Sequence, residues 1–361
     1  MAETIKNQYF TQQLLKWNRL SNKREMPWKG EKDPYKIWLS EIILQQTRVE
    51  QGLDYYQRFV TAFPHIHKLA MAHEQQVFKL WEGLGYYTRC KNLIATAKHI
   101  SKDLNGEFPI TFEGILKLKG IGPYTAAAIS SFAFNLPYAV VDGNVFRVLS
   151  RYFGISIPID SNEGKKYFTE LAGNLLDNKK PGEYNQALMD FGATVCKPKN
   201  PLCDKCPIQK KCTGYLNNAV NKFPVKEKSI TKKTRWFYYV VAEYKGEIFI
   251  TKRNKKDIWE NLYEFILSEH NNSATADEVL KKLFPPRQDS MPGYLLVHVS
   301  GIYKQQLTHQ TIYGQFIKVQ LRANIAPAGY EKVKKENLYQ LPFPKFITTY
   351  LKDKNVSLNL F

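Results

Sequence analysis

Four cysteines fall within a short stretch of the chain, in the pattern Cys196-x6-Cys203-x2-Cys206-x5-Cys212. Thiolates at such spacing can surround one tetrahedral centre, and both Zn²⁺ and a [4Fe–4S] cluster accept four cysteines. Five lysines interrupt the same loop, which suits it to contact phosphates. The spacing therefore predicts a metal or cluster site and leaves the choice between zinc and iron–sulfur open.

Two carboxylates stand in unusual surroundings. Glu41 lies in the apolar helical sequence WLSEIILQQT, where burial would raise its pKa and suit it to donate a proton. Asp142 precedes Gly143 and the amphipathic sequence NVFRVLSRYFG, at the start of a helix. An exposed, inert glutamate and an ordinary helix cap are the alternatives when each residue is taken alone.

The stretch LKGIGPYTAA carries Gly120 and Gly122 just before Pro123. Glycines two apart permit positive φ and a close turn, so that successive N–H groups converge on an anion at the start of the helix that Pro123 begins. An ordinary helix connection is the alternative for this motif by itself.

These residues must be held in place by regular structure. In residues 1–220 apolar residues recur at intervals of three and four positions, which predicts helices. Asp33 and Pro34 predict the start of a helix that runs through Val60. A helix-turn-helix broken at Gly83 and Gly85 follows. Further helices are predicted at residues 123–134, 144–153, 163–176 and 183–195.

The composition changes after residue 220. Residues 221–235 are basic, without an apolar period, and predict an exposed linker. Residues 236–361 predict a separate α+β domain, with a β-hairpin at Lys245-Gly246, strands in YLLVHVSGIY and TIYGQFIKVQL, and a helix near 275–284.

The net charge of the chain indicates the class of its binding partner. With 52 Lys and Arg against 33 Asp and Glu, the net charge is +19, which favours a polyanion. Nucleic acid is the first candidate and an anionic membrane surface the second. The sequence has neither an apolar run of about 18 residues nor a signal-peptide pattern in residues 1–30, so we expect a cytoplasmic, nucleoid-associated protein without membrane contact.

Taken together, WLSEIILQQTRVE, LKGIGPYTAAAI, VVDGNVFRVLSR and the cysteine loop resemble the helix-hairpin-helix DNA glycosylases of the endonuclease III superfamily, and among them the MutY-type adenine DNA glycosylases. The resemblance covers nearly all of residues 10–220. It implies that Cys196, Cys203, Cys206 and Cys212 hold a [4Fe–4S] cluster in a structural and DNA-sensing role. It also implies a monomer that binds double-stranded DNA containing adenine opposite 8-oxoguanine or guanine.

The resemblance assigns roles at the scissile bond, which is reached by flipping the nucleotide out of the duplex. Glu41 falls where the family protonates adenine N7, and Asp142 where a carboxylate stabilises the cationic sugar. Asn144 and Tyr124 fall where neighbours support Asp142. These roles require opposite pKa shifts, with Glu41 raised by burial and Asp142 kept low by helix N–H groups. Because bifunctional relatives carry a lysine where Tyr124 stands, we expect a glycosylase that does not cut the strand.

Further residues match the family by position. Gln46 and Tyr86 match residues that wedge into the duplex, and Gly120 and Gly122 match the phosphate-binding hairpin. Gln186 departs from the glutamate that relatives often carry. The residues that match the lining of the base pocket are Met26, Trp28, Lys29, Gln186 and Met189.

The C-terminal domain resembles the family's Nudix-like module, which reads 8-oxoguanine. Thr308 and His309 match the tip that touches the lesion, whereas Leu307 replaces the usual Phe. Asn261 stands where the family more often has glycine. Residues 236–361 contain no glutamate-rich Nudix box, so we expect no nucleotide hydrolysis.

Two other functions remain open at this stage. A bifunctional pyrimidine-lesion glycosylase with lyase activity would need a lysine at position 124. A non-catalytic iron–sulfur DNA-binding protein would explain the charge, the cysteines and the hairpin, but it would give Glu41 and Asp142 no purpose.

Overall fold

The computed structural model describes residues 2–227, 231–285, 292–325 and 327–353, with side chains from residue 5. The chain divides into two compact units, the first formed by Met1–Met71 and Asn92–Lys228 and the second by Ala72–Lys91 and Ser229–Phe361. Grouping of residues 72–91 with the C-terminal domain was not predicted. Of the predicted linker, residues 228–230 lie outside the described residues, and a β-strand already begins at Lys233.

The first unit is helical in its described part. Its helices, including α6, which starts in the second unit, are α1 (Ala2–Ser21), α2 (Pro34–Leu44), α3 (Val49–Ala62), α4 (Ile66–Met71), α6 (Tyr87–Asp103), α7 (Phe112–Leu116), α8 (Pro123–Phe134), α9 (Gly143–Phe153), α10 (Asn162–Leu175), α11 (Pro181–Thr194) and α12 (Thr213–Leu216). Helix α5 (Glu74–Trp81) belongs to the second unit. The predicted helices at 123–134, 144–153, 163–176 and 183–195 are confirmed within a few residues.

The predicted long helix from Pro34 to Val60 is wrong, because the chain turns between α2 and α3. Asp33 caps α2 as expected, accepting from the N–H of Tyr35. Gln46 then adopts a left-handed φ of 55°, and the N–H of Thr47 bonds to the carbonyl of Leu44. A Cβ on Gly52 would lie 2.7 Å from Leu44 Cδ2, so glycine allows α3 to pack closely against the end of α2.

The core of the first unit holds α9 and α11 in place. Helix α9 buries one apolar face, including Val148 and Tyr152, against Phe10 of α1 and Phe191 of α11. Helix α8 is apolar nearly all round, and its Ala126–Ile129 stretch is buried beside α2 and α11. Burial on this scale is the main stabilising term for such a bundle. It fixes the starts of α8 and α9, which carry Tyr124 and Asp142.

In the residues that the structure describes, the second unit is built on a mixed eight-stranded sheet. The central strand β1 runs parallel to β7 and antiparallel to β2 and β4. The predicted hairpin at Lys245-Gly246 is confirmed, since it joins β1 to β2. The strands are β1 (Lys233–Tyr244), β2 (Glu247–Lys252), β3 (Tyr263–Glu264), β4 (Ile266–His270), β5 (Tyr294–Val299), β6 (Tyr303–Gln306), β7 (Gln310–Leu321) and β8 (Glu331–Lys334).

Two helices in the described part of this unit pack against the sheet. Helix α13 (Ala276–Leu283) packs Val279 and Leu280 into a cluster with β1 and β7, as predicted for residues 275–284. Helix α14 (Lys345–Leu351) stacks Tyr350 on Phe316 with ring centroids 3.9 Å apart. In the described part of the chain, no helix has the length and apolarity needed to cross a membrane.

Candidate active site

A cavity of about 390 Å³ in the first unit, called the main cavity below, brings together nine of the eleven predicted catalytic and substrate-binding residues. The predicted residues that line it are Met26, Trp28, Glu41, Gln46, Tyr124, Asp142, Asn144, Gln186 and Met189. Lys29 instead lines an adjoining cavity of about 250 Å³, which shares Trp28, Glu41 and Gln186 with the first. The rings of Trp28 and Tyr56 pack edge to face, so α3 supports this wall of the cavity.

Glu41 is held inside the protein before any ligand arrives. Its side chain is buried, and the hydroxyl of Tyr124 donates a hydrogen bond to Oε2 at 2.7 Å. Burial raises the pKa of Glu41 to about 7, against the hydrogen bond from Tyr124, which lowers it, and with a smaller raising effect from Asp142. The predicted burial is therefore confirmed. The hydroxyl of Tyr124 thus bonds to Glu41, and the support of Asp142 by Tyr124 stays a prediction.

Asp142 is the N-cap of α9. Its Oδ1 accepts from the N–H groups of Asn144 and Val145, both at 2.8 Å, and its Oδ2 accepts from Asn144 Nδ2 at 2.7 Å. The predicted low pKa is wrong in direction. Desolvation raises the pKa of Asp142 above its ordinary value and outweighs the three hydrogen bonds and Arg147, all of which lower it.

Arg147 connects Asp142 to the cysteine loop. Its Nη2 donates to Asn144 Oδ1 and to the carbonyl of Gly192, both at 2.7 Å, while Nε donates to the carbonyl of Cys196 at 2.8 Å. A Cβ on Gly192 would lie 2.6 Å from Asn144 Cβ, so glycine is needed where α11 meets Asn144. The side chain that holds Asp142 Oδ2 is thus itself held by a guanidinium bonded to the loop.

The four cysteines of that loop line one common cavity with an apolar wall that includes Tyr152, Phe191 and Ile208. Arg151, buried beneath the loop, donates to Cys196 Sγ at 3.5 Å and to the carbonyl of Lys197 at 2.8 Å. Among the described residues, no three His, Cys, Asp or Glu side chains gather closely enough for one metal ion. The thiols therefore surround a shared space without closing on a single point.

Asp190, which the sequence analysis missed, organises one wall of the main cavity. It is fully buried on α11, and its carboxylate accepts from Gln186, Arg24, Lys29 and Asn22. A signal was present in the sequence, since an aspartate in the apolar helical run ALMDFGA requires charged or polar partners. The sequence analysis also missed Arg24, which lines the cavity.

The two hairpin glycines differ in conformation. Gly120 has a φ of 79°, and a Cβ there would meet Asn92 Cβ at 2.7 Å. Gly122, the N-cap of α8, has a φ of −100°, and a Cβ there would meet nothing within 4 Å. The prediction of positive φ is correct for Gly120 and wrong for Gly122, whose missing side chain instead leaves open space at the start of a helix.

The remaining predicted residues lie in the second unit. Tyr86, with a left-handed φ of 50°, shares a short hydrogen bond with Thr308 through its hydroxyl. Both residues line a cavity of about 480 Å³ together with Leu307 and His309. Asn261 has a φ of 71°, which explains why glycine suits this position.

Comparison with known proteins fits this architecture. Residues 39–172 match the HhH-GPD superfamily base excision DNA repair proteins, and residues 237–353 match the NUDIX domain. An adenine DNA glycosylase from Buchnera aphidicola subsp. Baizongia pistaciae is 36% identical over 310 residues, covering 84% of this chain and 84% of the relative. The chain belongs to the adenine DNA glycosylases.

Other adenine DNA glycosylases are similar over shorter stretches. The human enzyme is 40% identical over 212 residues, covering 56% of this chain and 39% of the human protein. Among solved structures, a thermostable thymine-DNA glycosylase has a TM-score of 0.56 at 32% identity, covering 60% of this chain and all of that one. A trapped endonuclease III–DNA intermediate, at 18% identity and a TM-score of 0.52 over 60% of this chain and 98% of that one, shares the fold. The chain is thus a multidomain DNA repair glycosylase with a helix-hairpin-helix unit and a Nudix-like domain.

Proposed function

We propose that this adenine DNA glycosylase removes adenine paired with 8-oxoguanine or guanine, by hydrolysing the N-glycosidic bond and stopping at the abasic site. The observation that carries the proposal is the cavity that holds Glu41 and Asp142 together, with Glu41 buried and bonded to Tyr124. A carboxyl that keeps its proton near neutral pH, beside a second carboxyl, is the pairing that glycosidic bond cleavage uses.

Glu41 supplies the proton. Tyr124 occupies Oε2, which leaves Oε1 to carry the proton to a ring nitrogen of the flipped base. The base then leaves as a neutral molecule, and such general acid help is worth roughly 10² to 10⁴ in rate.

Asp142 faces the positive charge that develops on the sugar. The pKa of Asp142 is raised in the free protein by desolvation, and a cation forming beside it favours the ionised form. The carboxylate therefore interacts more strongly with the transition state than with the bound nucleotide, and this difference accelerates the reaction. Asn144 and Arg147 keep its oxygens in position.

Two observations support a reaction that ends at the abasic site. Tyr124 stands at the position of the lysine in strand-cutting relatives, and the described residues that line the main cavity include no lysine. A Schiff base with the sugar needs an amine, which a phenol cannot replace.

Recognition of 8-oxoguanine is assigned to the second unit. Its support is the cavity beside Thr308 and His309, in a domain that matches the NUDIX family. The backbones of Tyr86 and, in the first unit, Gln46 are both left-handed, and such strain is frequent at binding sites. These two residues are proposed to enter the duplex.

We also propose that the four cysteines hold a [4Fe–4S] cluster. The support is the family to which the chain belongs, together with four cysteines in one loop. Four thiols that line one shared apolar cavity are the set of ligands that such a cluster takes. When bound, it would order the basic loop that contacts DNA.

The proposed reaction is tested with duplexes that carry adenine opposite 8-oxoguanine, guanine or thymine, in single-turnover assays with and without alkali. We expect alkali-dependent breaks at the adenine opposite 8-oxoguanine and guanine. Breaks without alkali would support the bifunctional alternative, and an absence of base loss in every duplex would support a non-catalytic DNA-binding protein. Glu41→Gln, which keeps the size of the side chain, is the control and should bind DNA without releasing base.

The cofactor is tested on the purified protein. We expect a brown protein with visible absorption, and iron and sulfide at four each per chain. Stoichiometric zinc without iron would contradict the cluster.

A further inference from the structure

Asp190 is a fully buried carboxylate surrounded by four donors beside the main cavity. Its Oδ1 accepts from Arg24 Nη1 and Gln186 Nε2, both at 2.9 Å. Its Oδ2 accepts from Asn22 Nδ2 at 2.9 Å and from Lys29 Nζ at 3.0 Å. Two cations thus pair with one carboxylate, and Gln186 is the neutral donor that reaches the cavity.

This arrangement fixes the orientation of the Gln186 amide. A carboxylate paired with two cations has only lone pairs to offer, so Gln186 must turn its NH₂ group towards Asp190. Its Oε1 then lies on the opposite side of the amide carbon, in a residue that lines the same cavity as Glu41. Among the described residues, no donor bonds to that oxygen.

A glutamine amide held in this way presents only a hydrogen-bond acceptor, as a carboxylate would. A glutamine that rotates freely can present either a donor or an acceptor, because its two ends are similar in size. Asp190 removes this choice and leaves the acceptor Oε1 as the unheld end of an amide in a residue that lines both cavities. The departure from the glutamate of many relatives therefore keeps the hydrogen-bonding character of that position.

We propose that Asp190 is a specificity-determining positioning residue, which fixes Gln186 so that the site accepts purines with an amino group at C6 and disfavours those with a keto group. The inference rests on the proposed function. On the edge that carries N7, adenine offers an acceptor and then the N6 donor, whereas a 6-oxo purine offers two acceptors. Protonated Glu41 suits N7 in both, but the Gln186 oxygen pairs only with the amino group.

The test compares adenine with hypoxanthine, each opposite 8-oxoguanine, by the ratio of single-turnover rates. In Asp190→Asn the side chain at position 190 can either donate or accept, so the Gln186 amide is free to turn. We expect the adenine-to-hypoxanthine ratio to fall by about tenfold, the equivalent of one misdirected hydrogen bond. A loss of packing alone would lower both rates and leave their ratio unchanged.

Two further variants separate positioning from folding. In Asp190→Asn/Gln186→Glu, residue 186 can only accept and can pair with Arg24 or Lys29, so the ratio should return to that of the unmodified protein. Asn22→Ala removes another donor to Asp190 without touching Gln186, and we expect an unchanged ratio.

The outcomes are distinct. If the unmodified protein excises adenine and folded Asp190→Asn keeps its ratio, the inference is overturned and the proposed function stands. If the unmodified protein excises no adenine, the proposed function itself fails. Should Asp190→Asn not fold, the double variant decides, since a retained ratio supports the inference and a lost ratio overturns it.

Discussion

The hydroxyl of Tyr124, at the first turn of α8, donates to Glu41 Oε2 on α2 at 2.7 Å. The bond opposes the effect of burial, because it favours the ionised carboxyl while desolvation disfavours it. Tyr124 thus tunes the pKa of Glu41, the proposed proton donor, and occupies one of its two carboxyl oxygens. Position 124 therefore matters in two ways. It lacks the amine that a Schiff base needs, and its phenol bonds to Glu41.

Tyr124→Phe should therefore raise the pKa of Glu41 above about 7. We expect the alkaline limb of the pH–rate profile to move to higher pH and the maximal rate to fall by up to about tenfold, as Glu41 loses its orientation. Tyr35→Phe is a matched control on α2, since it removes a buried hydroxyl bond to the Phe63 carbonyl outside the cavity. It should lower the melting temperature without moving the limb, and an unmoved limb in Tyr124→Phe would contradict the tuning role.

The unmodified enzyme should show a bell-shaped pH–rate profile in single-turnover assays. Glu41 must be protonated, so the rate should fall as pH rises through about 7. Asp142 must be ionised, and since its pKa is raised above the ordinary 3.8, the acid limb should lie above that value. A rate that stays constant from pH 6 to 9 would exclude Glu41 as the proton donor.

Glu41→Gln should stabilise the protein at alkaline pH. The folded-state pKa of Glu41, about 7, lies above its ordinary 4.5, so the stability linked to its proton is present below 4.5 and is lost as pH rises through 7. Removing the ionisable group avoids this loss, which amounts to about 3 kcal/mol well above pH 7. Thermal melting of both proteins at pH 5 and 8.5 checks this. Equal differences at the two pH values would contradict it.

The hairpin glycines offer a matched pair of variants. Gly120→Ala combines a φ of 79° with a clash against Asn92, so we expect a loss of about 1 to 3 kcal/mol in unfolding free energy. Gly122→Ala meets no protein atom within 4 Å and should fold normally. If a phosphate approaches Gly122 as the sequence predicts, the methyl group should still weaken DNA binding, measured by fluorescence anisotropy. Normal binding by folded Gly122→Ala would argue against a phosphate at this amide.

Arg147→Met should slow base release while leaving Glu41 intact. The variant removes the bonds to Asn144 Oδ1 and the Cys196 carbonyl, so Asp142 loses the support of its neighbour. We expect a fall of at least tenfold in the single-turnover rate, with the alkaline limb unchanged. Arg147→Lys, which keeps the charge but not the fork of donors, should recover little. An unchanged rate in both variants would show that Asn144 holds its place alone.

Much of the fold was predictable because local rules apply to it. The caps at Asp33 and Asp142 and the hairpin turn at Lys245-Gly246 each follow from a few adjacent residues. The turn between α2 and α3 was not predictable in the same way. Gln46 adopts a conformation that glutamine rarely takes, and after this turn α3 packs closely against the end of α2 at Gly52.

The candidate site shows the same division. The sequence singled out Glu41 and Asp142 by their neighbours, but it could not weigh desolvation against hydrogen bonds, and the direction for Asp142 was wrong. Asp190 and Arg24 are 166 positions apart, so their pairing depends on helix packing rather than on a local pattern.

The raised pKa of Glu41 also determines what fraction of the protein has this carboxyl protonated. With a value of about 7, a substantial share of the protein carries at neutral pH the Glu41 proton that the proposed reaction uses, before any DNA is met. A glutamate at its ordinary value would leave fewer than about one molecule in a hundred so prepared. Because the apolar helix keeps Glu41 buried, solvent protonates this carboxyl before DNA binds, independently of the substrate.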